Sequence, residues 1–294
     1  MTRESQQSFP ASARGGAASA SLERAPLDDA TFQHFCELIY DKAGIKLGAG
    51  KQSLVEARLG KRMRKLGIES YRQYLQLIEQ DDSGDEVIEM LDAISTNTTH
   101  FFRESAHFDR LRQLLQTWEA EGVQRFRIWC AASSTGEEPY TIAMTVQEAL
   151  RNTQDVRILA TDISTKVLRL ASRGVYTQKQ AASIPAPLLG KYFDRQQDHH
   201  SGEQHYAAND SLRNLLTFAR LNLATPPYTM KGPFDVILCR NVMIYFDNVV
   251  RSRLLGEFER LLRPGGILMV GHAESLSGML TGLHRLEPSV YVKK

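Results

Sequence analysis

Two adjacent carboxylates, Glu137 and Glu138, directly follow Gly136, and a third, Asp162, closes an apolar run 162 − 136 = 26 positions beyond that glycine. An acid roughly 20 residues after a glycine turn is placed, in dinucleotide folds, to accept hydrogen bonds from ribose hydroxyls. The turn here, AASSTG, has one glycine rather than the GxGxxG of a diphosphate cradle. Carboxylates at its exit would repel a diphosphate, yet they can accept from a ribose or hold a cationic ligand. The chemistry favoured is capture of a nucleoside without phosphate, and S-adenosylmethionine fits. On these residues alone, an ordinary strand–helix unit without a ligand is the plain alternative.

Such acids must be held by the right elements. Phe126, Ile128 and Trp129 suit a buried strand, Ala131 to Thr135 form a small-residue turn, and Ile142, Ala143 and Val146 fall at helical spacing. Gln154 to Asp162 reads as a second buried strand. Strand, turn and helix open a nucleotide-type α/β fold, with the ligand at the helix N-terminus. Further on, Cys239, Arg240 and Asn241 end another strand, at the carboxyl edge where open α/β sheets bind ligands. Tyr245 follows one helical turn later, where its hydroxyl can orient an acceptor or contact a sulfonium; a ring packed under the next helix is the bland alternative.

Three segments in order, ISTNTTHFFRE, AASSTGEEPYTIA and FDVILCRNVMIYF, resemble the CheR family of chemotaxis receptor methyltransferases, and the resemblance runs from about Leu27 to Lys294. It implies a Rossmann-like α/β methyltransferase domain with a small antiparallel β subdomain inserted, preceded by an all-α domain. The implied reaction carries a methyl group from S-adenosylmethionine to receptor glutamates, giving γ-methyl esters and S-adenosylhomocysteine. A glutamate with a pKa of about 4.3 is ionised at neutral pH, so positioning donors are needed and a general base is not. By position in the motifs, Asn97, Thr99 and Arg103 resemble the family's lid over the cofactor, and Arg103 is the natural carboxylate partner. Glu138 is the better cofactor contact of the glutamate pair, Asp162 takes the ribose, and Asn222 and Leu223 resemble the positions flanking adenine. Arg103 and Tyr245 are the expected catalytic pair. Thr225-Pro226-Pro227-Tyr228 is reminiscent of the adenine-gripping motif of amino-methyltransferases, but it lacks the Asn and precedes the expected strand, so it reads as a proline loop.

Composition constrains the rest. A formal charge of +2 over 294 residues gives no overall nucleic-acid signature, so any basic patch is local. No run approaches the roughly 18 apolar residues of a membrane span, and no signal-peptide core is evident. Cys36, Cys130 and Cys239 are odd in number and widely spaced, which fits reduced thiols in the cytoplasm. No Cys or His pair has metal-ligand spacing, so no metal is expected, and His199 and His200 read as solvated. The expected division is a disordered tail over 1–26, a helical substrate-docking domain over 27–95 and the methyltransferase domain over 96–294. The β insertion spans about 174–214, with strands around Lys191 to Phe193 and Gln204 to Ala207. Later strands are expected over 216–223, 234–239, 267–272 and 289–292.

In the helical part, Val55, Leu59, Met63 and Leu66 form an apolar stripe, and Arg58, Lys61, Arg62, Arg64 and Lys65 crowd an adjoining face without an acid. A solvated charged face is the ordinary reading. Against a Glu-rich helical receptor bundle, that face becomes a docking surface. The chain is thus expected to be a monomer that is recruited to membrane receptor arrays without inserting. One rival is a nucleic-acid methyltransferase, disfavoured because no stacking aromatic lies among the cations. The other is a non-catalytic S-adenosylmethionine sensor, disfavoured by Arg103 and Tyr245.

Overall fold

The computed structural model describes residues 26–95, 97–197, 202–276, 278–279 and 282–294. The expected tail, apart from Pro26, and the solvated pair His199 and His200 lie outside these residues.

Four helices come first: α1 (Asp29–Ala43), α2 (Gln52–Leu66), α3 (Tyr71–Glu79) and α4 (Asp85–Ile94). The Asp28 carboxylate accepts from the Thr31 N–H at 2.9 Å and starts α1, while Gly44 at φ 66° ends it. Val55, Leu59 and Met63 of α2 are buried with Phe35, Ile39, Tyr74 and Met90 in one apolar cluster. Leu66, the last residue of the expected stripe, is 38 % exposed, because the helix stops at Gly67 before anything covers it. The cluster is pinned by one buried polar knot, in which Glu86 accepts from the Tyr74 hydroxyl at 2.6 Å and from Arg62 at 2.5 and 3.0 Å.

After the joint, α5 (Ala106–Ala120) leads into β1 (Phe126–Cys130), α6 (Glu137–Ala149), β2 (Val156–Asp162) and α7 (Thr165–Arg173). The insertion follows as β3 (Val175–Thr177), α8 (Gln178–Ala181), α9 (Ala186–Tyr192), β4 (Phe193–Gln197), β5 (Gln204–Ala208) and α10 (Asp210–Arg213). Then come β6 (Leu216–Arg220), β7 (Phe234–Cys239), α11 (Asn248–Leu261), β8 (Leu262–Val270), β9 (Leu283–Glu287) and β10 (Val290–Lys293).

The main sheet runs β6-β2-β1-β7-β8-β10-β9. Its first five strands are parallel, and β10 pairs antiparallel with both β8 and β9. From β1 the chain winds outward to β2 and β6, then returns to β7 on the other side of β1. That reversal is the crevice at which open α/β sheets bind ligands. Strand alternation divides two apolar layers across the sheet: Ile128 and Cys130 join the cluster holding residues of α5 and α6, whereas Trp129 joins that of α11. Trp129 packs edge-on against Phe258 at 5.3 Å, and its ring N–H donates to Thr161 Oγ1 at 2.9 Å.

Several expected bounds shift. Lys191 and Tyr192 end a helix opened by Pro185, so the strand begins only at Phe193. The insertion nonetheless forms a three-stranded antiparallel sheet, β3-β5-β4. The Pro264-Gly265-Gly266 turn is not ahead of β8 but inside it. Phe234 pairs with Leu262 and Val236 with Ile267, so the extra residues bulge out of register. β6 stops at Arg220, and β9 forms the hairpin partner of β10.

Candidate active site

A cavity of about 530 Å³ opens at the carboxyl edge of β1, β2 and β7. Ala131, Ala132 and Ser134 of the turn after β1 form its floor, and their small side chains keep it open. Gly136 holds φ 102°, and a Cβ there would stand 2.5 Å from the Tyr176 hydroxyl, which is why glycine ends the turn. Ser134 is itself left-handed at φ 46°, and its N–H donates to Asp162 Oδ2 at 2.9 Å. The Ser164 N–H donates to Asp162 Oδ1 at 3.0 Å. Both contacts favour the ionised carboxylate, but burial outweighs them and raises its pKa above the ordinary value.

Of the residues expected to hold the cofactor or act in catalysis, Asn97, Thr99, Arg103, Glu138 and Asp162 line this cavity. So do Asn222, Leu223, Arg240, Asn241 and Tyr245. Two do not. Glu137 is 2 % exposed and turned away, accepting from Thr135 Oγ1 at 2.6 Å and Gln180 Nε2 at 3.4 Å. Cys239 is sealed in the layer beside α11, because alternation along β7 sends its side chain away from the ligand edge. Thr225 to Tyr228 do not line the cavity either. The Tyr228 ring is buried against Trp129, with its hydroxyl donating to the Leu223 carbonyl at 2.6 Å.

Arg240 organises the wall. Its side chain is fully buried, with Nη1 2.6 Å from Glu138 Oε2 and Nη2 3.2 Å from Glu104 Oε2. Nη2 also donates to the Arg103 carbonyl, and the guanidinium lies 5.2 Å over the Phe108 ring. Glu104 accepts from Asn241 Nδ2 at 3.2 Å. Burial pushes the Glu104 pKa up, but the Asn241 bond and the Arg240 charge together carry it below the usual value. Glu274, 2 % exposed, accepts from the N–H groups of Asn241 (2.8 Å) and Gly271 (2.7 Å) and thereby fixes the loop after β7. Five non-glycine residues have positive φ among the described residues; Ser134 and Asn241 line the cavity, and Phe102 and Glu104 flank Arg103, which lines it too. Backbone strain of about 1–3 kcal/mol apiece gathers where the surrounding structure holds a site in place.

Sequence reading missed Glu104 and Glu274, and also Lys46, Lys51 and Leu54, which line the cavity from the helical side. Glu104 is adjacent to Arg103 in its motif, which was the available signal. The helical side is tied to the sheet by Tyr40 on Asp247 (2.8 Å), Asn222 on the Lys42 carbonyl (2.7 Å) and the Lys46 N–H on the Tyr245 carbonyl (2.9 Å). Asn222 therefore spends its amide on the joint between the two parts.

The basic face is also reshaped. Arg58 donates to the Ile94 and Ser95 carbonyls, and Arg62 pairs with Glu86 and Glu89 at 2.5 and 2.9 Å with 13 % of its side chain exposed. These two brace α2 against α4. Lys61, Arg64 and Lys65 are exposed.

The cavity lies within the roughly 300–1,000 Å³ of small-ligand sites. Its two carboxylates and absence of a glycine-rich diphosphate cradle suit a cationic nucleoside. Among the described residues, no helix is long and apolar enough to cross a membrane. The model of the CheR methyltransferase SAM-binding domain matches residues 97–292, and that of the CheR all-alpha domain matches 30–95. The chain is 40 % identical over 256 residues to a chemotaxis protein methyltransferase of Escherichia coli (strain K12), covering 87 % of each chain. It is 37 % identical over 270 residues to one from Salmonella typhimurium, covering 92 % of each. For one from Borreliella burgdorferi the identity is 36 % over 265 residues, 87 % of this chain and 92 % of the other. With two matched domains spanning nearly all of it and curated relatives covered at almost full length, the chain belongs to the CheR family of S-adenosylmethionine-dependent chemotaxis methyltransferases.

Proposed function

We propose that the chain methylates the γ-carboxylates of glutamates in the helical cytoplasmic bundle of chemotaxis receptors, working as a monomer at receptor arrays. The observation that carries this reading is one cavity lined both by the acids Glu138 and Asp162 and by the cations Arg103, Lys46 and Lys51. When bound, S-adenosylmethionine supplies an electrophilic methyl group, which a carboxylate oxygen takes by in-line displacement, leaving S-adenosylhomocysteine. Asp162 holds the ribose hydroxyls, and Glu138, fixed by Arg240, presents its remaining acceptor sites to the cationic end of the ligand. Leu223 offers an apolar face to the adenine, and Asn97 and Thr99 close over it.

For the acceptor, the chain supplies alignment and charge. Arg103, whose Nη1 donates to the Thr98 carbonyl at 3.1 Å, keeps further donors for the incoming carboxylate. Tyr245 sets its direction, and Lys46 and Lys51 draw it toward the opening. A carboxylate entering this partly dry site keeps its hydrogen bonds, so the oxygen stays nucleophilic without a base. The domain over 27–95 docks the receptor through Lys61, Arg64 and Lys65 on α2, and the domain over 96–294 performs the transfer.

The test is transfer of a tritiated methyl group to receptor membranes. Label released as methanol by mild base identifies an ester. Base-stable label would overturn the carboxylate assignment.

A further inference from the structure

Behind the cavity wall three ligand-type side chains converge: Glu104 from the joint, His107 from the first turn of α5, and His272 from the loop after β8. Among the described residues this is the one group of three His, Cys, Asp or Glu side chains with mutually close ligand atoms, all within 4.8 Å. Glu104 Oε2 is 3.5 Å from His107 Nδ1 and 3.9 Å from His272 Nε2. In a tetrahedral site with metal bonds of about 2.1 Å, neighbouring ligand atoms stand about 3.4 Å apart, so small side-chain rotations close both of these edges.

His107 supplies an independent sign. Its side chain is 3 % exposed, yet neither ring nitrogen has a hydrogen-bond partner. Buried polar groups are ordinarily satisfied, and an orphaned imidazole facing a carboxylate and a second imidazole matches an unfilled ligand position. The His107 ring packs edge-on to the His272 ring with centroids 5.0 Å apart, so both imidazoles and the carboxylate converge on one small volume. Glu104 retains acceptor capacity as well. Arg240 and the His272 N–H donate to Oε2 and Asn241 donates to Oε1, each at 3.2 Å, which leaves one of roughly four acceptor positions, on Oε1. The Arg240 charge opposes a cation here, but Glu104 and Glu138 pair with it directly, and Glu274 adds a third carboxylate across Asn241. The local balance is negative.

We propose that Glu104, His107 and His272 bind a divalent transition-metal ion of the zinc class, with a fourth position open to solvent beside the exposed His272. Two imidazoles and one carboxylate suit zinc, cobalt or nickel and disfavour magnesium and calcium, which take oxygen ligands. The ion would join the start of α5 to the loop after β8 and so brace the strained turn that presents Arg103.

The experiment uses the tag-free full-length chain, stripped with a chelator, without any methyl donor. Its outcome is therefore separate from that of the methyltransferase reading. Cobalt(II) is titrated and read by its visible d–d absorption, and zinc is titrated calorimetrically, with magnesium as control. The expected result is saturable one-to-one binding, cobalt displaced by zinc, no magnesium binding, and affinity about tenfold or more weaker in His272→Ala. His272 is exposed, so that variant keeps its fold, as its metal-free melting curve will show; His107→Asn is the second variant and should lose binding entirely. Absence of saturable zinc binding, or equal affinity in wild type and His272→Ala, would overturn the site.

Discussion

Replacing Arg240 by methionine tests the claim that one buried guanidinium holds the active-site wall together. Methionine keeps the apolar stem and removes the charge. Among the described residues, Glu138 would then retain only the weak Cys130 Sγ–H contact at 3.4 Å, while Glu104 would retain Asn241 and the His272 N–H. Leaving a buried charge without its partner costs about 3–5 kcal/mol, although removing both partners together is often close to neutral. The prediction is a loss of that size in Arg240→Met and partial recovery in Arg240→Met/Glu138→Gln, with a coupling energy of about 1–3 kcal/mol. Urea unfolding of the wild type, both single variants and the double closes the cycle. A coupling within about 0.5 kcal/mol of zero would refute the reasoning, because independent sites add to that precision.

Further outcomes follow from the same geometry. Lys61→Ala/Arg64→Ala/Lys65→Ala should slow receptor methylation by about tenfold at low ionic strength and less at high salt, with S-adenosylhomocysteine affinity unchanged. Arg62→Ala should instead lower stability by about 3 kcal/mol, measured by urea unfolding, because Glu86 is left buried and unpaired by charge. Backbone hydrogen bonding from Val250, followed by the Tyr40 hydroxyl, holds the Asp247 pKa below its usual 3.8. The stability it lends is present above that value and fades as pH falls through the folded pKa. Wild type and Asp247→Asn should therefore differ in urea midpoint at neutral pH and converge in strong acid. A Cβ on Gly271 would stand 2.6 Å from Asn241 Nδ2 and 2.8 Å from Glu274 Oε2. Gly271→Ala should weaken S-adenosylhomocysteine binding by about tenfold or more in calorimetry, by displacing the loop after β7.

The parts legible in the sequence were those fixed by local periodicity and short spacing. β1, its small-residue turn, α6 and β2 follow from alternation, the lone Gly136 and helical spacing, and they put Glu138 and Asp162 at strand ends. What a motif cannot state is which way adjacent side chains face. Glu137 and Glu138 are neighbours on a helix, about 100° apart around its axis, so one turns to the cavity and the other to Thr135. Cys239, the last residue of β7, and Arg240 just beyond it also face apart, by the alternation of an extended chain. The basic face of α2 misled because the partners of Arg62 arrive from α4, 24 positions away for Glu86. β4 was misplaced because it follows directly on a helix, and one apolar residue, Phe193, signals it. Glu104 and His272 lie 168 positions apart, and the return of β8 to the sheet edge joins them.

The most direct measurement is calorimetric titration of the purified chain with S-adenosylhomocysteine, beside Asp162→Ala as a control. The account predicts one saturable site per chain, with affinity lower by about tenfold or more once the Asp162 carboxylate is lost. Binding of equal strength in both proteins, or none in either, would contradict the placement of the nucleoside between the ends of β1 and β2.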